Sequence, residues 1–239
     1  MKKFAKAASA ALCVVAAICL ALVLLMTSVQ MTGLNKNYFM RSHEKLGTAQ
    51  TIGASEETVE MITEALVDYL KGDRQDLDLQ ADIALRGEEK EVFTEVEKLH
   101  MVDVYFMFRA GFIARDWCLV IAALSLIGAF FLAKENFAKR CAKSMLVTYG
   151  VMAAVLAVVI FWVSRDFTRA FFFFHEVSFS NDMWLLDRSI HVLINLVPEV
   201  YFSTIARDIM LIFAAGIVLI CVLCVLALTR RKKVDEGAL

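Results

Sequence analysis

Proline is nearly absent, one residue in 239. With 21% charged and 59% hydrophobic residues, the balance excludes a disordered chain. Charge of one sign is missing too. Lys and Arg number 25 against 26 Asp and Glu, and a net of −1 leaves no electrostatic footprint for nucleic acid. Six cysteines are present, but none falls in 30–116 or 164–208, the two long polar stretches, so no disulfide framework is expected. Cys13, Cys19, Cys118, Cys221 and Cys224 lie in apolar blocks, and Cys221-x-x-Cys224 reads as small packing residues rather than a redox or zinc half-site. No Gly-rich phosphate cradle, no Gly-x-Ser-x-Gly and no internal repeat occurs, and the four histidines show none of the short spacings of metal ligands. No metal and no cofactor is therefore expected.

The surplus is apolar length. Mean hydropathy is +0.63, concentrated in four blocks long enough to cross a bilayer. The first is 7–29, preceded by Lys2, Lys3 and Lys6; its 23 uncharged residues exceed a signal-peptide core, and Thr27-Ser28-Val29-Gln30 is a poor cleavage site, so it reads as a retained span. The others are 117–133, 144–163 and 209–229. The loops beside them orient the chain. The N-terminal lysines, the loop 134–143 and the tail 230–239 carry 11 basic residues against 3 acidic, a net of +8. Segment 30–116 carries −7 and segment 164–208 carries −2. Basic loops stay inside, so both termini are expected in the cytoplasm. The expected architecture is an all-α membrane protein: four transmembrane helices and an extracellular cap built from 30–116 and 164–208.

Segment 30–116 reads as mostly helical. Ser55-Glu56-Glu57 is a helix start, Val59, Ile62, Leu66, Tyr69 and Leu70 form one apolar stripe, and Gly72 is a stop. Residues 73–90 are charged and irregular, with a short strand or turn expected near 77–85. A second helix is expected from about Glu91 towards the second span. On it Glu97, His100 and Asp103 are spaced i, i+3, i+6 and share a face. A carboxylate beside an imidazole fixes its tautomer and raises its basicity; a polar helix face with a salt bridge is the plainer reading of the same spacing.

Segment 164–208 is richer in rings. Phe171 to Phe174 precede His175-Glu176, and Phe179, Asn181-Asp182 and Trp184 follow. An aromatic belt at the membrane interface accounts for the rings but not for the polar residues among them. The only proline, Pro198, stands before Glu199 and is expected to end a helix or fix a turn. Two histidines at the outer interface could carry acid–base chemistry on lipid esters. A serine nucleophile (Ser178, Ser180, Ser189 or Ser203) and a zinc site using His100, His175, His191 and a carboxylate are weaker alternatives.

Several stretches together resemble a known family. Glu97-Lys98-Leu99-His100-Met101-Val102-Asp103-Val104, Phe174-His175-Glu176, Phe179 through Asp187, and Leu193-Ile194 through Pro198-Glu199-Val200-Tyr201-Phe202 are similar to the ordered motifs of the bacterial lipoprotein intramolecular transacylases, the Lit family. The four-span layout is similar too, so the resemblance covers nearly the whole chain. Two positions depart from the pattern: Arg188 stands in place of proline and His191 in place of aspartate.

The resemblance implies a multi-pass protein of the bacterial cell membrane with its active site at the outer face. It implies transfer of the sn-2 acyl chain of a diacylglycerylated lipoprotein to the α-amino group of its N-terminal cysteine, giving the lyso form. It implies His100 and His175 as catalytic. Glu97, Asp103, Glu176, Asn181 and Asp182 are expected to support them, with Asn181 a candidate oxyanion donor. Phe174, Phe179, Trp184, Glu199 and Phe202 are expected to line the substrate. The helix spacing favours His100 as the base, though sequence does not fix which histidine is base and which acid. The expected partners are lipoproteins and membrane lipid, not nucleic acid. Another outer-leaflet lipid acyltransferase or esterase, or a non-enzymatic membrane sensor, would use the same layout differently.

Overall fold

In the computed structural model, the structure describes residues 2–237, with side chains described from 3 to 229. The basic and acidic side chains of Lys2, Arg230, Arg231, Lys232, Lys233, Asp235 and Glu236, which weighed in the orientation argument, lie outside the described residues. The helices are α1 (Lys2–Gly33), α2 (Lys36–Leu46), α3 (Thr48–Ile52), α4 (Glu56–Lys71), α5 (Glu95–Ala133), α6 (Phe137–Arg165), α7 (Phe167–Ser178), α8 (Leu193–Leu196) and α9 (Glu199–Gly237). Short 3-10 turns occupy Ala84–Arg86 and Lys134–Asn136. Among the described residues there is no strand beyond one isolated antiparallel bridge, Gln80 with Glu91.

Three helical stretches are long and apolar enough to cross a membrane: Lys3–Gly33, Glu95–Arg165 and Glu199–Thr229. The middle one is α5 and α6 joined through Lys134, whose φ of +47° is rare for a residue with a Cβ. The chain is thus an all-helical, multi-pass membrane protein.

It divides into two compact units. The first comprises 1–28, 112–164 and 209–239. Its core is built from small and sulfur-bearing side chains: Cys13, Ala17 and Ala21 on one face of α1, with Ala129, Cys141, Met145, Phe213 and Cys224. Small residues let apolar helices approach closely, and here the Ser9 hydroxyl donates to the Ala129 carbonyl at 3.2 Å. Cys224 sits in this core and Cys221 packs against it, in keeping with a packing role. Large apolar side chains face outward along the same helices, among them Trp117, Leu124, Phe131, Val151, Val158 and Leu219. Such a surface suits lipid and would drive aggregation in water.

The second unit comprises 29–111 and 165–208. α4 runs as its sequence requires. The Ser55 Oγ accepts from Thr58 N–H at 3.1 Å, the apolar stripe is buried, and Gly72 closes the helix at φ +86°. Gly53, at φ +66°, lies so close to Ala84 that a Cβ would stand 2.4 Å from that side chain. The irregular stretch after α4 is secured by Lys98, which bonds Asp78, Glu91 and Glu95. The second helix begins at Glu95, not near Glu91. Thr94 supplies the N-terminal cap, and Glu91 is held instead in the bridge to Gln80. Pro198 stands between α8 and α9, and its carbonyl accepts from Tyr201 N–H at 2.8 Å, opening the last helix.

Candidate active site

The second unit brings His100 and His175 together. Their ring centroids are 6.2 Å apart with planes at 33°. Each is buried, at 7% exposure. Phe179 packs against both, 5.1 Å from His100 and 5.6 Å from His175.

His175 rides on α7, which Asp166 caps by accepting from Arg169 N–H at 2.9 Å. Phe167, Phe171 and His175 follow at intervals of four and share a face. The His175 Nδ1 lies 2.7 Å from the Phe171 carbonyl. A carbonyl only accepts, so Nδ1 carries the proton and Nε2 keeps its lone pair. The imidazole is walled by Phe171 at 4.2 Å, Trp184 at 5.0 Å and Phe174 at 5.4 Å, with Phe202 against Phe171 at 5.3 Å. Burial lowers its pKa, and the Phe171 bond opposes that in part.

His100 lies near the start of α5. Its Nδ1 is buried and has no hydrogen-bond partner among the described residues. Burial, reinforced by repulsion from His175 and opposed by Asp103, pushes its pKa down to about 4.

Among the described residues Glu97 is not hydrogen-bonded to His100. It closes the helix start as a capping box. Thr94 N–H and Oγ1 donate to Glu97 Oε2 at 2.7 and 2.9 Å, and Glu97 N–H donates back to Thr94 Oγ1 at 3.4 Å. Its other oxygen accepts from Leu193 N–H at 2.6 Å. Glu97 is fully buried, and these unpaired backbone donors claim both of its oxygens. Asp103 accepts from Asn181 Nδ2 at 2.8 Å. Asn181 also accepts from Met183 N–H at 3.1 Å, so it serves as a turn-former and strut. The two carboxylates flanking His100 thus tie α5 to the stretch after α7.

The remaining sequence candidates are spread more widely. Glu176 and Asp182 are exposed. Glu199 accepts from Thr168 Oγ1 at 2.6 Å. His191 Nδ1 accepts from Asp187 N–H at 2.7 Å, closing a turn that leaves Arg188 exposed. The Ser189 and Ser203 hydroxyls donate to Asp187 Oδ1 and the Val200 carbonyl. Among the described residues no three His, Cys, Asp or Glu side chains gather where they could hold a metal. Sequence reasoning missed the Phe171 carbonyl, the Leu193 amide and Thr94; only Thr94-x-x-Glu97 carried a readable signal.

The family model described as lipoprotein intramolecular transacylase Lit matches residues 14–202. Among curated proteins, none matches the chain. The chain is similar in fold to a structure of the membrane integral lipoprotein intramolecular transacylase Lit from Bacillus cereus. That match has a TM-score of 0.72 at 18% identity, covering 94% of this chain and 98% of that one. Two variants of the Bacillus cereus protein, with one histidine replaced by alanine or by arginine, match at TM-score 0.71 and 16% identity over 94% of this chain, covering 96% and 94% of theirs. The chain belongs to the lipoprotein intramolecular transacylase family.

Proposed function

We propose that the His100–His175 site moves the sn-2 acyl chain of a diacylglycerylated lipoprotein to the α-amino group of its N-terminal cysteine. The observation that carries this reading is the pair itself: two buried imidazoles at 6.2 Å inside an aromatic wall, in a chain of this family.

The substrate supplies its own nucleophile. Attack of the amine on the sn-2 carbonyl closes an about eight-membered ring, and proximity of this kind can lower a barrier by roughly 7–11 kcal/mol at best. The amine nitrogen bonds the carbonyl carbon, and its proton passes to His175 Nε2, the lone pair that the Phe171 carbonyl keeps free. The carbon–oxygen bond then breaks, and the glycerol oxygen takes that proton from the His175 imidazolium. One amide and one hydroxyl replace one ester and one amine, with no net proton change.

His100 acts as donor in this scheme. A bare lone pair is cheaper to bury unpartnered than an N–H, so the proton belongs on Nε2, available to the developing oxyanion. This reverses the assignment that the helix spacing favours, since Glu97 is engaged elsewhere. The Phe179, Trp184 and Phe202 rings, with the half-exposed Phe174 at their rim, would limit the access of water to the reacting ester, which disfavours hydrolysis.

Mass spectrometry of a model lipopeptide tests the reading. Intramolecular transfer conserves mass and moves the acyl group to nitrogen. Loss of an acyl chain would mark an esterase, exchange with a second lipid another acyltransferase, and an unchanged substrate a sensor.

The layout completes the reading. With α5 and α6 as separate spans, 7–29, 117–133, 144–163 and 209–229 give four. Both termini and the loop 134–143 then face the cytoplasm, and 30–116 with 164–208 form the outer cap. A cysteine placed at Gln75 should react with an impermeant thiol reagent on intact cells, and one at Phe137 should not. The opposite pattern overturns the orientation.

A further inference from the structure

The second unit holds a cavity of about 580 Å³ that the two histidines do not line. Its wall includes Arg188, Glu199, Thr51, Ser203 and Asn195 over apolar surface from Phe167. Arg188 is exposed, and its guanidinium has no ion pair or hydrogen bond among the described residues. Glu199 engages Thr168 through one oxygen only.

The cavity and the histidine site lie along the same helix, α7. Phe167 lines it, Phe171 packs on Phe167 at 6.3 Å, and His175 packs on Phe171 at 4.2 Å. Eight residues of helix separate Phe167 from His175, a rise of about 12 Å. An extended peptide covers that distance in about three to four residues.

We propose, building on the transacylase reading, that this cavity holds the polypeptide that follows the lipidated cysteine, three to four residues on, and that Arg188 selects an acidic side chain there. Every lipoprotein substrate must lead a peptide away from the reacting amine, so a mixed polar recess at that reach has a ready occupant. The chemistry of the wall favours peptide over a bare phosphate group. A phosphate needs several donors and no carboxylate, whereas Glu199 would repel it. An extended peptide offers N–H groups to Glu199 and to the Thr51 and Ser203 oxygens, and an acidic side chain to Arg188.

The test uses synthetic diacylated lipopeptides that differ only at the fourth and fifth residues, with the full-length protein in detergent. The kcat/KM ratio of Asp to Lys peptides should be about tenfold or more for wild type, as expected for one charge contact. It should fall towards unity in Arg188→Ala and invert in Arg188→Glu. An unchanged ratio in Arg188→Glu overturns the proposal. Since Arg188 is exposed, neither substitution disturbs packing. A second measurement does not depend on turnover. A lipopeptide with a photoreactive side chain at the fourth residue should cross-link within 46–51 or 198–203, whether or not acyl transfer occurs. Cross-links confined to other segments overturn the proposal. So does competition of those cross-links by phosphatidylethanolamine vesicles but not by the free peptide, which would assign the cavity to a zwitterionic lipid headgroup. Absence of product from every lipopeptide, with the cross-links in place, would instead count against the transacylase reading alone.

Discussion

Two regions of the second unit bury a histidine, and they do so in different ways. His43, on α2, is 2% exposed, packs against Phe39, and faces the Thr48 hydroxyl through Nδ1 at 3.3 Å. His100 is also buried, but its Nδ1 has no partner, and a second imidazole stands 6.2 Å away. Burial pushes both pKa values down to about 4. Loss of charge by burial is therefore no mark of chemistry. What separates the regions is that the His43 Nδ1 meets a local hydroxyl, while the His100 Nδ1 has no partner and a second imidazole stands beside it.

The largest expected effect breaks the site side of this comparison. His175→Ala and His100→Ala should each lower turnover by roughly 10²-fold or more, read as lyso-form product by mass spectrometry. The double variant should be little worse than either single one, because groups acting as a unit are not additive. Thermal stability in detergent must stay comparable, and His→Asn variants serve as controls of similar bulk. A folded His175→Ala protein that works near the wild-type rate ends the scheme.

The pH profile sharpens the same point. Both pKa values are depressed, so both imidazoles are neutral at pH 7 and neither stores a proton. The proton that reaches glycerol must come from the amine. Turnover should then not fall between about pH 6.5 and 8.5, and should rise as the substrate ammonium, with a reference pKa of roughly 7.7–8.0, loses its proton. A descending limb near 6.5 would mean that a resting imidazolium is the acid.

Much of this was legible in the sequence, and the parts that were not share a cause. Ser55 and Gly72 bound α4 because caps are local rules that sequence states directly. The apolar length of the long helices was equally plain. The short helices α2 and α3 leave no such mark, since Gly47 and Gly53 divide them into lengths too brief for a periodic stripe. The helix start at Thr94 is readable from Thr94-x-x-Glu97, but the charged run before it places the expected boundary four residues early. The two histidines stand out from their segments and from the resemblance alike, whereas their electrostatics are not written in the sequence. The partner of Glu97 is a backbone amide 96 positions away, and that of His175 is a backbone carbonyl. Neither group has a side-chain identity that a sequence pattern can register. The spacing of Glu97, His100 and Asp103 is a helical periodicity, whereas what the two carboxylates touch is set by which donors tertiary packing leaves unpaired.

Glu97 provides a prediction of intermediate size. Glu97→Gln keeps the shape but turns one acceptor into a donor, facing either Thr94 or Leu193. A buried amide left without an acceptor costs about 1–3 kcal/mol. Thermal stability should fall accordingly. If the clamp rather than a proton matters, turnover should recover on cooling and the pH profile should keep its shape. A shifted profile would restore Glu97 as an electrostatic partner of His100.

The smallest effect on activity belongs to His43, and it tests the comparison from its other side. His43→Ala should leave turnover within about twofold while lowering stability by roughly 1–3 kcal/mol, the range for a truncated core side chain. The acid response of stability separates the histidines further. Each of His43, His100 and His175 is depressed when folded, so the unfolded chain binds more protons as pH falls below about 6.5. Their stabilising contribution is whole above that value and drains away as pH drops, towards about 4 for His43 and His100. His43→Ala should flatten the fall in melting temperature over this window yet leave the pH profile of turnover unmoved. His100→Ala should change both. If His43→Ala instead shifted the turnover profile, the nook and the site would be electrostatically coupled, and a satisfied buried histidine could no longer be read as structural.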